Sequence, residues 1–401
     1  MYLDYSEKTI SLKDIVLFVL FLATLNTFNA YYYFVFIAFG FLLCCSNVKM
    51  TLNSSSISLF ILGLTLVAFS PSYSYSIFGM VKPLTYITCY IIGYSLYEYK
   101  RFDTNKSLSL FYKICIFVMS GSFLHYLLNW ITNLSYTSRN TVDFWTKTII
   151  NATGQAPLAC LASSMAIACF FSNVNRKYKI ISAIVMLITI GYNLILSGRT
   201  LFALVLIVIC IAFAHKLITQ KNNRFKSIVI TVFIILTLIV SYSINLFGVR
   251  SSIESTPFYE RFFTEDANTE LEEDSRIDHK LEYINNASSY LWGGSNLREQ
   301  YGYAHDIFLD TYDEAGIFAF WAIVVYMFAT FFRMIKCVSS TNLPFEFRQV
   351  ILCIYSILYA QFMVEPIIQG VPWLFASFCI IDGSVTKLLS GYKMNNFQMK
   401  G

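Results

Sequence analysis

The sequence predicts an all-α polytopic membrane protein with about twelve transmembrane helices and one large loop between the ninth and tenth spans. Of the 401 residues, 56% are hydrophobic and only 13% are charged, whereas soluble domains carry about 25% charged residues. The mean hydropathy is +0.58. So little polar surface could not cover soluble cores. The low charge, without a glycine period or a sustained heptad, also excludes disordered, collagenous and coiled-coil chains.

The apolar windows define the order of the spans. A bilayer core of about 30 Å needs roughly 20 apolar residues per helix, and we predict spans over 11–28, 30–47, 56–71, 76–96, 108–131, 154–172, 179–197, 200–218, 227–248, 315–335, 348–367 and 371–389. Nine spans with short loops therefore occupy 1–248, the large loop covers 249–314, three spans occupy 315–390, and 391–401 form a tail.

Basic residues predict the orientation in the membrane. With a cytoplasmic N-terminus, nineteen of the 29 Lys and Arg residues lie in cytoplasmic segments and nine lie outside, as the excess of positive charge in cytoplasmic loops requires. We therefore predict that both termini are cytoplasmic. Six of the nine outer residues are Arg, against five of the nineteen inner ones. Since the planar guanidinium matches phosphate and carboxylate, this bias indicates an anionic ligand on the outer face.

No cofactor, metal or nucleic-acid motif stands out. The ten cysteines lie in or beside apolar runs without a CxxC spacing, which is typical of small apolar membrane residues. The carboxylates of 270-ELEED-274 are interpreted as solvated surface, and no phosphate-cradling glycine loop, dinucleotide fingerprint or DxD site occurs. We expect no cofactor and no metal. Nucleic acid is an improbable partner, because the net charge of +5 is spread over the membrane-flanking loops.

The large outer loop combines an acidic balance with several arginines. It carries five basic and fifteen acidic residues, and four apolar residues follow helical spacing: Ile277, Leu281, Ile284 and Leu291. This pattern predicts an amphipathic helix at the membrane surface over 276–291. On it, Arg276, His279 and Lys280 stand at i, i+3 and i+4 and share one face. The loop is either an anion site on which arginines converge or a solvated loop whose arginines pair with nearby carboxylates.

Three further segments hold candidate site residues on the outer side. In 196-LSGRT-200 a tight turn leaves Arg199 at the start of a helix, where free N–H groups favour an anion; the alternative is an arginine that reaches lipid headgroups. The segment 304-AHDIFLDTYDEAG-316 places His305 and Glu314 just before a span. The earlier loop 139-RNTVDFWTKTIINATGQA-156 contributes Arg139.

In this order, these segments resemble the O-antigen polymerase and O-antigen ligase superfamily. The matching residues are Ser197-Gly198-Arg199, Ser275-Arg276, Gly293-Gly294, His305-Asp306 and Glu314-Ala315-Gly316, within a resemblance that covers about 139–320. Asp306 stands where the family usually has Asn. The 29-residue interval from Arg276 to His305 is short, which leaves Arg261 and Arg250 as alternatives to Arg276.

The resemblance implies a helical scaffold like that of GT-C glycosyltransferases in the bacterial inner membrane, with the large loop in the periplasm. It also implies an undecaprenyl-diphosphate-linked oligosaccharide as substrate, with no nucleotide sugar and no metal. Beyond the bilayer, a chain-length-regulating membrane protein is a further candidate partner.

The chemistry of glycosyl transfer from a diphosphate suggests roles for these residues. We expect Arg199 and Arg276 to clamp the diphosphate, because arginine stays protonated and grips phosphate with two donors. His305 is the candidate catalytic base or the group that orients the leaving diphosphate. Substrate-binding roles are assigned to four more residues: Arg139, Arg250, Arg261 and Glu314. Glu314 would alternatively hold the loop or the histidine in place.

Two other functions compete with polymerisation. A ligase would transfer the glycan to lipid A-core, but the aromatic-rich spans and short loops are more typical of divergent polymerases. A flippase or other transporter would carry ionisable groups within its spans. This chain has few of them, namely Lys82, Lys113, Glu365 and Asp382, and this scarcity favours an enzyme that faces the periplasm.

Overall fold

A computed structural model of the protein describes residues 11–27, 40, 52–74, 77–97, 104–134, 140–220, 224–256, 258–259, 263 and 275–398. Among the predicted site residues, Arg139 and Arg261 lie outside these ranges. Most of the predicted second span, 30–47, and the acidic run 270–274 lie outside them as well.

The described chain is almost entirely helical and contains one short hairpin. The helices of the first half are α1 (Leu12–Thr24), α2 (Ser54–Phe69), α3 (Pro71–Ser74), α4 (Ile77–Val81), α5 (Leu84–Ser95) and α6 (Thr104–Thr132). An antiparallel hairpin of β1 (Asn140–Val142) and β2 (Ile149–Asn151) follows. Then come α7 (Ala152–Phe171), α8 (Arg176–Leu196), α9 (Arg199–Thr219), α10 (Arg224–Ser243) and α11 (Val249–Glu254).

The last part of the chain contains several short helices and the remaining long helices. These are α12 (Ser275–Asn286), α13 (Asn296–Tyr301), α14 (Ile307–Ser339), α15 (Phe345–Phe362), α16 (Ile367–Gly370) and α17 (Pro372–Gln398). Short 3-10 turns occur at Leu246–Gly248 and Ala287–Ser289.

Six helices in the described ranges are long and apolar enough to cross a membrane: α6, α7, α8, α9, α14 and α17. The protein is therefore a helical, multi-pass membrane protein, as the composition predicted. The count of twelve spans remains a prediction. The span predicted over 76–96 is divided between α4 and α5, since Pro83 has no N–H to continue a helix.

The helices form one apolar core in which the long helices run side by side. α14 packs along α2, α17 along α5, α1 along α6, and α7 lies between α8 and α15. Gly93 of α5 and Gly383 of α17 allow the closest of these approaches, because an added Cβ on either would meet the backbone of the other helix. The eight described cysteines are free thiols, most of them buried in this core.

The two ends of the protein can be told apart by contacts between helices. Phe111 near the start of α6 and Phe347 near the start of α15 have ring centroids 5.0 Å apart, so both helices begin at one end. α15 finishes at the opposite end, where α12 and the start of α14 lie against the residues that follow it. Four predicted site residues in the described ranges lie around this second end: Arg199, Arg276, His305 and Glu314.

Candidate functional site

The amphipathic helix predicted in the outer loop corresponds to α12. Its basic residues face the body of the protein: Arg276 Nη1 donates to the carbonyl of Val364 over 3.3 Å, and Lys280 Nζ donates to that of Met363 over 3.0 Å. Its apolar residues point the other way and are largely exposed: Ile277, Leu281 and Ile284. The polar face of the helix therefore covers the segment that follows α15, and its apolar face is available to lipid.

Beneath α12 lies Glu365, a carboxylate that is 1% exposed. Its Oε1 is 3.9 Å from Arg276 Nη2, and its Oε2 is 3.9 Å from His305 Nδ1. Both distances are too long for hydrogen bonds. Among the described residues, neither Glu365 Oε1 nor His305 Nδ1 has a hydrogen-bond partner. A buried carboxylate thus faces two potential cations across gaps that a water or a small polar group could bridge.

The backbone around His305 holds its imidazole at this position. His305 has φ of +54°, a left-handed conformation that is uncommon outside glycine. On either side of it, the carboxylate of Asp310 accepts hydrogen bonds from the N–H of Ala304 over 2.9 Å and of Asp306 over 3.1 Å. Lys280 Nζ also lies 3.6 Å from the Asp306 carboxylate. Because both flanking residues are fixed, the surrounding structure can maintain the strained residue between them.

Asp306 itself begins α14 as its N-cap. Its side chain accepts hydrogen bonds from the N–H groups of Phe308 and Leu309. Asn and Asp perform this function about equally well. Asp306 can therefore cap the helix at the position where the family that this chain resembles usually has Asn.

The glycine pair and the Glu-Ala-Gly segment meet at a backbone junction. α14 is interrupted at Ala315 and Gly316, which have non-helical dihedral angles. At this break the N–H of Ile317 donates to the carbonyl of Leu291 over 3.0 Å. An added Cβ on Gly293 would lie 2.6 Å from the Gly316 nitrogen, so only glycine allows this approach. The junction attaches the outer segment to α14.

Glu314 is enclosed by this junction and is 0% exposed. Its Oε2 accepts hydrogen bonds from Arg298 Nη1 over 2.9 Å, Ser295 Oγ over 3.2 Å and Gln369 Nε2 over 3.2 Å, and its Oε1 accepts one from Ser70. Burial disfavours the charge of Arg298, but the Glu314 carboxylate raises the pKa of Arg298 above its usual value. Of the two roles predicted for Glu314, the enclosed position favours holding the loop over contacting substrate.

Arg199 begins α9 directly after the predicted turn. Ser197 adopts a left-handed conformation, and Asn193 Nδ2 donates to the carbonyl of Gly198 over 2.8 Å. The helix therefore starts at Arg199 itself. Arg199 lies at the same end of the protein as Glu365, but within the described ranges the ion-pair partners of Glu365 are Arg276 and His305 alone.

Arg250 is not part of this group of residues. Its Nε lies 2.7 Å from Glu254 Oε1, one turn further along α11, and its side chain is 51% exposed. Its guanidinium also lies over the ring of Tyr242. The structure thus gives Arg250 local partners in its own segment.

A second buried polar group supports the hairpin at the same end. His125 Nε2 and Asp143 Oδ2 are 2.6 Å apart, and both residues are buried. Asp143 Oδ1 accepts hydrogen bonds from the N–H and Oγ of Thr146, and Asn129 Nδ2 donates to Gln155 Oε1 over 3.0 Å. Burial by itself would raise the pKa of Asp143, but the bonds from His125 and Thr146 hold it well below its usual range. This pair anchors the hairpin to α6.

Several of these residues were not assigned to a site by the sequence argument. For Glu365, near the end of its predicted span, the sequence left two roles open, facing the active site or capping a kink, and Arg298 was only one of the predicted outer arginines. The signal for Glu365 was a carboxylate beside Pro366 in an apolar run. The corresponding signal for His125 and Asn129 was two polar residues one turn apart within an apolar helix. No group of three or more His, Cys, Asp or Glu residues that could hold a metal ion occurs in the part of the chain that the structure describes.

No model of a protein family matches this chain, and no curated protein matches its sequence significantly. The functional argument therefore rests on the geometry around Glu365 and on the sequence pattern.

Proposed function

We propose that this protein is a membrane glycosyltransferase that joins lipid-diphosphate-linked oligosaccharide units, in the manner of an O-antigen polymerase. One observation carries the proposal. Arg276 and His305, which the sequence argument selected for anion binding and proton transfer, converge on one buried carboxylate, Glu365. They come from segments 29 residues apart, and the carboxylate lies 60 residues further along the chain.

In the proposed reaction, a hydroxyl oxygen of the acceptor sugar attacks the anomeric carbon of the donor. The bond from that carbon to the phosphate oxygen breaks, and the lipid diphosphate leaves with the electron pair. Arg276, with Lys280 beside it on α12, stabilises the negative charge that develops on the diphosphate; such electrostatic contributions are commonly worth about 3–4 kcal/mol per donor. Arg199, at the start of α9, is assigned to binding the same diphosphate.

The proton of the attacking hydroxyl goes to His305. Nδ1 of His305 faces Glu365, so Nε2 is the nitrogen that would receive the proton. The resulting imidazolium is stabilised by the charge of the buried carboxylate. Glu365 is therefore a positioning residue in this proposal, since it acts through His305.

The experiment uses the purified full chain in lipid nanodiscs with lipid-diphosphate-linked repeat units as the only substrate. Products of two or more repeat units are expected from the wild type. Arg276→Ala and His305→Ala should lower their formation at least about 100-fold, as the loss of a catalytic acid–base group or anion donor does. Arg276→Lys should recover only part of the activity, because lysine keeps the charge but not the two-pronged donor geometry.

Controls separate the competing functions. Glu299→Gln changes an exposed carboxylate of α13, so it should retain wild-type activity. Product formation only after addition of lipid A-core would favour the ligase alternative. If the wild type makes no glycosidic bond under either condition, the proposed function is wrong.

A further inference from the structure

A cavity of about 270 Å³ lies between α14 and α17, far from the Glu365 group. α14 begins beside His305 and runs to Ser339. The cavity lies near its C-terminal end and therefore at the end of the protein opposite the candidate site. Four residues of α14 line it at i, i+3, i+4 and i+7, so they form one face of the helix: Ala329, Phe332, Arg333 and Lys336. Leu389 and two hydroxyl residues of α17 form the opposite wall.

The lining changes from apolar to basic along the helix axis. Ala329 and Phe332 lie toward the middle of α14, whereas Arg333 and Lys336 lie toward its end. The seven steps along the helix from Ala329 to Lys336 cover about 10 Å at 1.5 Å per residue. A phospholipid has the same order of groups over a similar length, with an acyl chain toward the bilayer centre and a phosphate toward the water.

Arg333 is held in place by residues that do not line the cavity. Its guanidinium donates to Asp382 and to Ser55, and Asp382 also accepts a hydrogen bond from Tyr355 Oη over 2.8 Å. These bonds use two of the five guanidinium N–H donors. The Arg333 side chain is 12% exposed, and it reaches the cavity wall. A buried carboxylate thus orients an arginine that also lines the cavity.

We propose that this cavity binds the headgroup of an anionic phospholipid. Its phosphate would contact Arg333 and Lys336, and the first part of an acyl chain would lie along Ala329 and Phe332. Arginine donors match the paired oxygens of a phosphodiester, and basic pockets between transmembrane helices are suited to such headgroups. A free phosphate would contact the basic end of the cavity but would leave the apolar end unfilled. The proposal is independent of the glycosyltransferase function.

The test is native mass spectrometry of the delipidated full chain with added phosphatidylglycerol, phosphatidylcholine or inorganic phosphate. The wild type should bind one phosphatidylglycerol about tenfold more tightly than phosphatidylcholine, and Lys336→Glu should abolish this preference. Ala329→Leu, which narrows the apolar end without changing charge, should weaken binding of both lipids. Lys177→Glu alters an exposed lysine at the start of α8 and is the matched control, so its preference should stay at the wild-type value.

Two outcomes would overturn the proposal. One is an unchanged preference in Lys336→Glu while its fold is intact by circular dichroism. The other is displacement of phosphatidylglycerol by an equal concentration of inorganic phosphate, which would mean that the cavity recognises the anion alone.

Discussion

Replacement of Glu365 by glutamine tests the centre of the proposed site. The change keeps the size and shape of the side chain and removes only its charge. An attraction between unit charges 3.9 Å apart amounts to about 4 kcal/mol at an effective dielectric constant of about 20. Because Arg276 and His305 are 31% and 23% exposed, solvent screening reduces this to about 2 kcal/mol for each pair.

A loss of about 2 kcal/mol in the transition state corresponds to about a 30-fold lower rate. We therefore expect Glu365→Gln to form glycosidic bonds about 30-fold more slowly than the wild type, at equal protein abundance in the nanodisc assay. The double variant with His305→Ala should be no slower than His305→Ala alone, since Glu365 acts through the histidine. Glu299→Gln again controls for the chemical change itself.

Either of two results would rule out this role for Glu365. Full activity of Glu365→Gln would show that the buried charge has no part in the reaction. Losses that simply add in the double variant would show that the glutamate acts independently of His305, for example by holding the segment after α15 in place.

Three stability predictions follow from the other buried contacts, each measured as a melting temperature in detergent. Arg298→Ala should lower the free energy of unfolding by about 3 kcal/mol, because it leaves the Glu314 carboxylate buried without its cation. Gly316→Ala should cost about 1–3 kcal/mol, since its φ of +77° is strained for any residue with a Cβ. Asp143→Asn should cost about 2 kcal/mol at neutral pH, where its charge bonds with a buried histidine. Because the folded pKa of Asp143 lies below the unfolded value of about 3.9, its contribution is complete above that value and declines as the pH falls below it.

Each of the three stability predictions can be contradicted by a specific result. Arg250→Ala removes an arginine whose ion pair lies within one exposed helix, so it should leave the melting temperature nearly unchanged. Equal losses for Arg250→Ala and Arg298→Ala would contradict the argument from burial. A Gly316→Ala variant as stable as the wild type would mean that the junction with Gly293 can relax. If the melting temperatures of the wild type and of Asp143→Asn fall in parallel as the pH is lowered, the Asp143 carboxylate is not the source of the acid sensitivity.

Local chemistry in the chain was sufficient to predict the helical membrane class and several helix boundaries. Long apolar windows coincide with α6 to α9, α14 and α17, because a helix is the structure in which a span can satisfy its own backbone groups. The turn before Arg199 and the basic face of α12 follow from residues within a few positions of each other. These features depend on periodicity and capping, both of which are visible in sequence. α14, by contrast, begins at Ile307, inside the loop predicted over 249–314.

The partners of the charged residues were decided by packing between distant segments. Nothing in the neighbourhood of Glu365 indicated that Arg276 would face it from 89 positions earlier in the chain. The pairing of Arg298 with Glu314 likewise depends on the backbone junction at Gly316. Composition reports how many charges a membrane protein carries. Which of them meet in a buried site depends on the crossing of its helices, because a low-dielectric interior tolerates a charge only where the fold brings it a partner.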